Sequence, residues 1–275
     1  MTDAVGVEVE LRNNPFVEKA TTKIWLEEES ADNPYIADDA FCYGYNLFEL
    51  AEKRDAVDVV YLLMTGELPD QATHDFFQKL MILFCNPGPR HNATRAAMMA
   101  GAGKTVSNNI LPIGLSIFSG AYLGATEVQE SMRFLKKNCD QNAADVAKSL
   151  LKEKPVPSVE EPTIVAGFGS LYSGIDALSK KMANFLLETE FETPVMQWAA
   201  AFVAEVEPSG YGWLNSGVAA AALLDLKMDS MTGGPLFQLF AAPGLLAHGL
   251  EKCKDTMYSM PFLDQSRYIM ETEER

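Results

Sequence analysis

The 275-residue chain has four cysteines, three histidines and far fewer basic than acidic residues. Each shortage excludes something. Cys42, Cys85, Cys139 and Cys253 are widely scattered with no CxxC spacing, so neither a disulfide framework nor a structural zinc site is expected. His74, His91 and His248 have no partner at metal-ligand spacing, and no metal site is predicted. Lys and Arg number 22 against 38 Asp and Glu, a net charge of −16. Such a surface repels phosphate backbones and anionic lipid, so neither nucleic acid nor a membrane is expected as a partner. No run of 18 apolar residues is present to span a bilayer. The opening MTDAVGVEVELRNN has neither a basic n-region nor an apolar h-region, so a cytoplasmic location is expected. No GxSxG occurs, and no alternating apolar–polar stretch is long enough to build a sheet.

What is present reads as helix. Residues 1–22 are polar and aperiodic and are expected to form a flexible arm, with short extended pieces at 22–25 and 40–45. Asn46 caps NLFELAEKR, Asp55 caps AVDVVYLLM up to Gly66, and Pro69-Asp70 opens QATHDFFQKLMILF. NPGPR breaks the chain at 86–90. Small-residue-rich helices follow, then an amphipathic helix over 127–137, a polar one over 140–154 and a proline-rich linker at 154–162. Further helices are expected at 178–188, at 195–206, in VAAAALLDL and after Pro243, placed at the first position of GLLAHGLEKCKDTMY. The fold class is all-α.

Local motifs carry little chemistry. GAGKT at 101–105 lacks the first glycine of a phosphate loop, since Met98 stands there, and no strand precedes it. A tight helix–helix turn is the reading. His74 is assigned to a solvated helix face and His248 to a hydrogen-bonded core position. Arg90, His91 and Arg95 form a local basic group in an acidic chain, suited to holding a carboxylate or to pairing with nearby acids.

Taken in order, the segments GYNLFELAEKRDAVDVVYLLMTGELP, NPGPR, GAGKT, GLSIFSGAYLGATEVQESM, GFGSLYSGIDALSKKM, LNSGVAAAALLDLKM and LFQLFAAPGLLAHGLEK resemble the citrate synthase superfamily, and within it the short citryl-CoA lyase-like branch. The resemblance covers residues 40–270. It implies a large helical domain (23–162 and 235–275) and a smaller inserted helical domain (163–234). It also implies a dimer, and chemistry that makes or breaks a carbon–carbon bond next to a CoA thioester. CoA or acyl-CoA is the implied ligand, with no permanently bound cofactor.

The resemblance also locates departures. The family's first histidine falls on Tyr122, its second on Ser170, and its catalytic aspartate on Ser216, or on Trp213 with the gapping of the longer synthases. The arginine positions fall on Leu171, Ala241 and Met260. Lys181 falls where the family has a basic residue that meets the CoA phosphates, and Lys180 lies beside it. Losing a general base removes about two to four decades of rate, and losing an oxyanion donor about two to three. Two readings stay open. One is a CoA-thioester-binding or non-catalytic companion subunit, as a homodimer or as a heteromer with an active paralogue. The other is a divergent enzyme, a lyase or acyltransferase, with Tyr122 as enolate donor and Asp176 as substitute base.

Overall fold

The computed structural model describes residues 21–271; residues 1–20, and with them almost all of the expected arm, lie outside the described residues. The chain divides into two compact units, one up to Leu68 and one from Pro69 onward.

In the first unit, β1 (Trp25–Glu29), β2 (Ala37–Cys42) and β3 (Tyr45–Asn46) form an antiparallel sheet in that order. The extended pieces expected at 22–25 and 40–45 are therefore parts of longer or shifted strands. Two helices follow, α1 (Leu47–Lys53) and α2 (Ala56–Thr65). Both caps act as the sequence indicates: Asn46 accepts from the Phe48 and Glu49 N–H groups, and Asp55 from those of Val57 and Asp58. Gly66 ends α2 at φ 83°, a left-handed C-cap that glycine adopts without a Cβ penalty. Cys42, Leu50 and Leu62 form the small core of this unit.

The second unit contains α3 (Gln71–Leu83), α4 (Asn92–Ala102), α5 (Ile110–Phe118), α6 (Ala125–Asn138) and α7 (Ala143–Glu153). A second antiparallel sheet, β4 (Thr163–Val165), β5 (Phe168–Gly169) and β6 (Gly212–Trp213), is interleaved with α8 (Ala177–Leu187) and α9 (Pro194–Val206). The chain then forms α10 (Asn215–Asp225) and α11 (Ser230–Lys254). The all-α class holds, yet two small sheets exist where no sheet was expected. Their strands are two to six residues long, too short for alternation to register.

GAGKT is the helix–helix turn that the missing glycine implies: α4 stops at Ala102, and Lys104 turns the chain at φ 58°. The polar helix expected from 140 begins at Ala143, because Asn142 caps it through the Ala144 and Asp145 N–H groups. The largest correction is α11. A new helix was expected at Pro243, but Asp229 caps a single 25-residue helix with Pro235 and Pro243 inside it. Proline's fixed φ suits a helix, and its cost is one backbone bond and a clash in the preceding turn. Part of that cost is met outside the helix: the Gly244 N–H donates to the Cys85 carbonyl at 2.9 Å. A Cβ at Gly244 would stand 2.6 Å from both Asn86 Cα and Cys85 O, so glycine is what lets the 85–86 backbone approach.

Helix α11 packs on α4, α5 and α6, and α10 packs between α6 and α9. Residues 216–223 of α10 are all buried, which accounts for its lack of a polar face. Aromatic contacts complete the interior. Phe134, Phe168 and Trp198 surround Phe202, while Phe237 meets both Phe84 and Phe118. No described helix is long and apolar enough to cross a membrane.

Candidate functional site

Two adjoining chambers open in the second unit. The larger, about 320 Å³, is bounded by the 83–91 segment, Phe118, Leu123, the 171–182 segment, Asn215 and Phe237. The smaller, about 210 Å³, adds Tyr122, Glu127, Thr163 and Ser170, and shares Arg90, His91, Leu123, Leu171 and Tyr172 with the first.

His91 is the best-defined group in the cleft. It is the N-cap residue of α4, with Nδ1 accepting from the Ala93 N–H at 3.1 Å. That bond leaves the proton on Nε2, which donates to the Leu123 carbonyl at 3.2 Å. The ring lies against Phe118, with centroids 5.0 Å apart. Burial lowers its pKa further, against a smaller opposing effect of the Leu123 bond. His91 is therefore a neutral, fixed imidazole, and the positive charge of the 90–95 group rests on its two arginines. Arg90 is exposed and lines both chambers, whereas Arg95 is exposed on α4 and lines neither.

Tyr122 and Leu123 sit in the tight loop between α5 and α6, with Leu123 at φ 55°. That conformation is uncommon for a side chain with a Cβ. Glu127 holds it in place: Oε2 accepts from the Leu123 N–H at 2.6 Å, while Oε1 accepts from the Gly167 N–H at 3.3 Å. Burial pushes the Glu127 carboxyl up, and the two N–H groups and the nearby Ser216 hydroxyl pull it back in part. Ser216 Oγ is fully buried beside this carboxyl but falls short of hydrogen-bond geometry. Sequence reasoning missed Glu127 as a member of the cleft. Its signal was its spacing, since Glu127, Ser131 and Leu135 recur at four-residue intervals on the buried face of α6.

The opposite wall is a hairpin tip at 171–174, closed by Leu171 N–H to Gly174 O at 2.7 Å and the reciprocal bond at 3.0 Å. Tyr172 and Ser173 have φ 49° and 63°, the paired positive values of a turn that normally selects Asn-Gly. Ser170 buttresses this tip: its hydroxyl donates to the Gly174 carbonyl at 3.2 Å and its N–H to Pro162 O at 2.8 Å. Asp176 faces the larger chamber but serves as the α8 cap. One oxygen accepts from the Leu178 N–H, and the other lies 2.6 Å from Ser179 Oγ.

Tyr122, Ser170, Arg90 and His91 thus meet at one chamber, with Ser216 behind Glu127. Lys181 is exposed on α8 outside both chambers, and Lys180 pairs with Glu207 at 2.5 Å. Two histidine expectations need correction. His74 is only 13% exposed, with Nδ1 3.1 Å from Asp75 Oδ1, because the packed side of α3 extends to it. His248 is half-buried with no hydrogen-bond partner at Nε2 among the described residues.

No family model matches the chain, and no curated protein matches it. Solved structures do. The citryl-CoA lyase of Hydrogenobacter thermophilus superposes with a TM-score of 0.75 at 21% identity, over 93% of this chain and 95% of that one. The ATP citrate lyase of Methanosaeta concilii, a D541A mutant in complex with (3S)-citryl-CoA, gives 0.71 at 14% identity over 95% of this chain but only 43% of its own. The citrate synthase of Thermoplasma acidophilum, in a ternary complex with carboxymethyl coenzyme A and oxaloacetate, gives 0.59 at 13% identity, over 80% of this chain and 58% of that one. The chain has the helical fold shared by citryl-CoA lyase and citrate synthase.

Proposed function

We propose that this protein binds a CoA thioester in the Arg90–Tyr122–Ser170 cleft and lacks the ordinary citrate-forming and citrate-cleaving activity. The observation that carries this reading is the occupation of the cleft's polar groups. Both His91 nitrogens are bonded to backbone, the Ser170 hydroxyl buttresses a hairpin, and Asp176 caps a helix. A carbon acid next to a thioester needs a free base and an oxyanion donor. Tyr122 is 74% exposed and is a weak substitute for either. The relatives of the same fold that hold citryl-CoA or carboxymethyl coenzyme A supply the ligand class. Lys181 is proposed to meet the CoA phosphates, with Lys180 beside it when released from Glu207. Residues 163–234 are proposed as the smaller domain that closes over the ligand, against a body formed by 23–162 and 235–275. The assembly is proposed to be a homodimer or a heteromer with an active paralogue.

Calorimetric titration of the full chain with CoA and acetyl-CoA tests this. Saturable binding weakened by Lys181→Ala is the expected result; no heat at millimolar ligand would overturn the reading. A second reading, a divergent carbon–carbon lyase or acyltransferase, is favoured by one feature: Glu127, a buried carboxyl with raised proton affinity, lines the same chamber as Tyr122. Turnover of any acyl-CoA that both Tyr122→Phe and Glu127→Gln abolish would establish it.

A further inference from the structure

We infer that the larger chamber is a binding site for an apolar monocarboxylate with a body the size of octanoate. This deepens the proposed function, because it names the ligand class of the same cleft, and it rests on that cleft being a ligand site.

Volume and lining come first. At about 30 Å³ per water-sized unit, the chamber's 320 Å³ admits roughly ten non-hydrogen atoms. Its walls include Leu83, Phe84, Phe118, Leu178, Met182 and Phe237, from four separate helices and the turn after α3. A tricarboxylate would have to leave its polar groups against that surface unpaired.

Charge decides how many carboxylates fit. Arg90 is the one permanently charged cation among the described residues that line either chamber, and it has no ion pair among them. His91 adds no charge, because its Nδ1 accepts from Ala93 and its Nε2 proton is committed to Leu123. Asp176 lines the larger chamber and Glu127 the smaller. One guanidinium accommodates one carboxylate in a bidentate pair. A second carboxylate finds no cation and faces Asp176, while Asn86 and Asn215 offer only neutral polar groups.

The test is calorimetry on the full chain, with sodium octanoate, succinate and citrate titrated separately, each without and with saturating CoA. Octanoate is expected to bind at least tenfold more tightly than succinate or citrate. Arg90→Gln, at an exposed position, is expected to weaken octanoate about tenfold or more. Leu178→Gln, at a site 57% exposed, is expected to weaken it several-fold without unfolding the chain. Citrate binding as tightly as octanoate overturns the inference, as does octanoate binding that Arg90→Gln leaves unchanged, or no octanoate binding in either condition. The CoA titration separates this from the proposed function. CoA binding without octanoate selectivity removes this inference alone, and octanoate binding without CoA binding removes the thioester reading alone.

Discussion

Two buried carboxylates do different physical work. Glu127 joins the loop before α6 to the turn between β4 and β5 by accepting two backbone N–H groups. Removing it leaves the buried Gly167 N–H and the part-buried Leu123 N–H unpaired, at about 1–3 kcal/mol each. Glu127→Ala is therefore expected to lower the unfolding free energy by about 3 kcal/mol in urea titration, and Glu127→Gln by clearly less, since its carbonyl still accepts. Equal losses would contradict this account. Asp225, at the end of α10, caps α9 from outside by accepting from the Val195 and Met196 N–H groups at 2.8 and 3.0 Å. Burial raises its pKa from 3.8 to about 6 despite those bonds. The sign follows from proton counting. Between those two values the folded state holds the proton and the unfolded chain has released it, so stability falls as pH rises through the window. The loss totals about 3 kcal/mol by pH 7. Asp225→Asn is expected to flatten that part of the stability–pH profile, and an unchanged slope between pH 4 and 6 would refute the assignment. Neither role was legible in the sequence: an acid on an apolar helix face marks burial, but Gly167 lies 40 residues from Glu127, and Val195 and Met196 lie 30 and 29 residues from Asp225.

Among the elements, the legible ones were those whose ends are set locally. Asn46, Asp55, Asp70 and Gly66 fix α1, α2 and α3 by contacts within three or four residues, and all act as read. The failures have non-local causes. Helix α11 runs through Pro243 because it packs on three helices and finds an outside acceptor at Cys85. Strand β6 is formed by pairing with β5, where Phe168 and Trp213 meet across 45 residues of sequence. The hairpin tip at 171–174 was invisible for another reason, since Tyr-Ser is poor chemistry for a turn with two positive φ values. That strain, of order 1–2 kcal/mol per residue, is concentrated at a wall of the cleft. Ser173→Gly is expected to raise unfolding free energy by about 1 kcal/mol. A destabilised variant would mean that the serine side chain makes a contact worth more than the strain.

At the scale of the whole molecule, the resemblance carried what composition did not. An acidic, half-apolar chain with helical periodicity admits many folds, whereas the ordered segments from GYNLFELAEKR to PGLLAHGLEK single out one, and superposition on citryl-CoA lyase agrees. The cleft was legible only in part. Tyr122, Ser170, Arg90 and His91 were each singled out in the sequence and line one chamber, but the place of Glu127 and Tyr172 there, and the bonds that hold His91, Ser170 and Asp176, depend on packing. The central claim is that the fold persists while the groups that move protons next to a thioester do not. The direct measurement is thiol release from acetyl-CoA with oxaloacetate by the purified full chain. Against a typical turnover of ~10 s⁻¹, loss of both base and oxyanion donor predicts a rate about four or more decades lower, below ~10⁻³ s⁻¹. A rate of ~1 s⁻¹ or more would contradict the account.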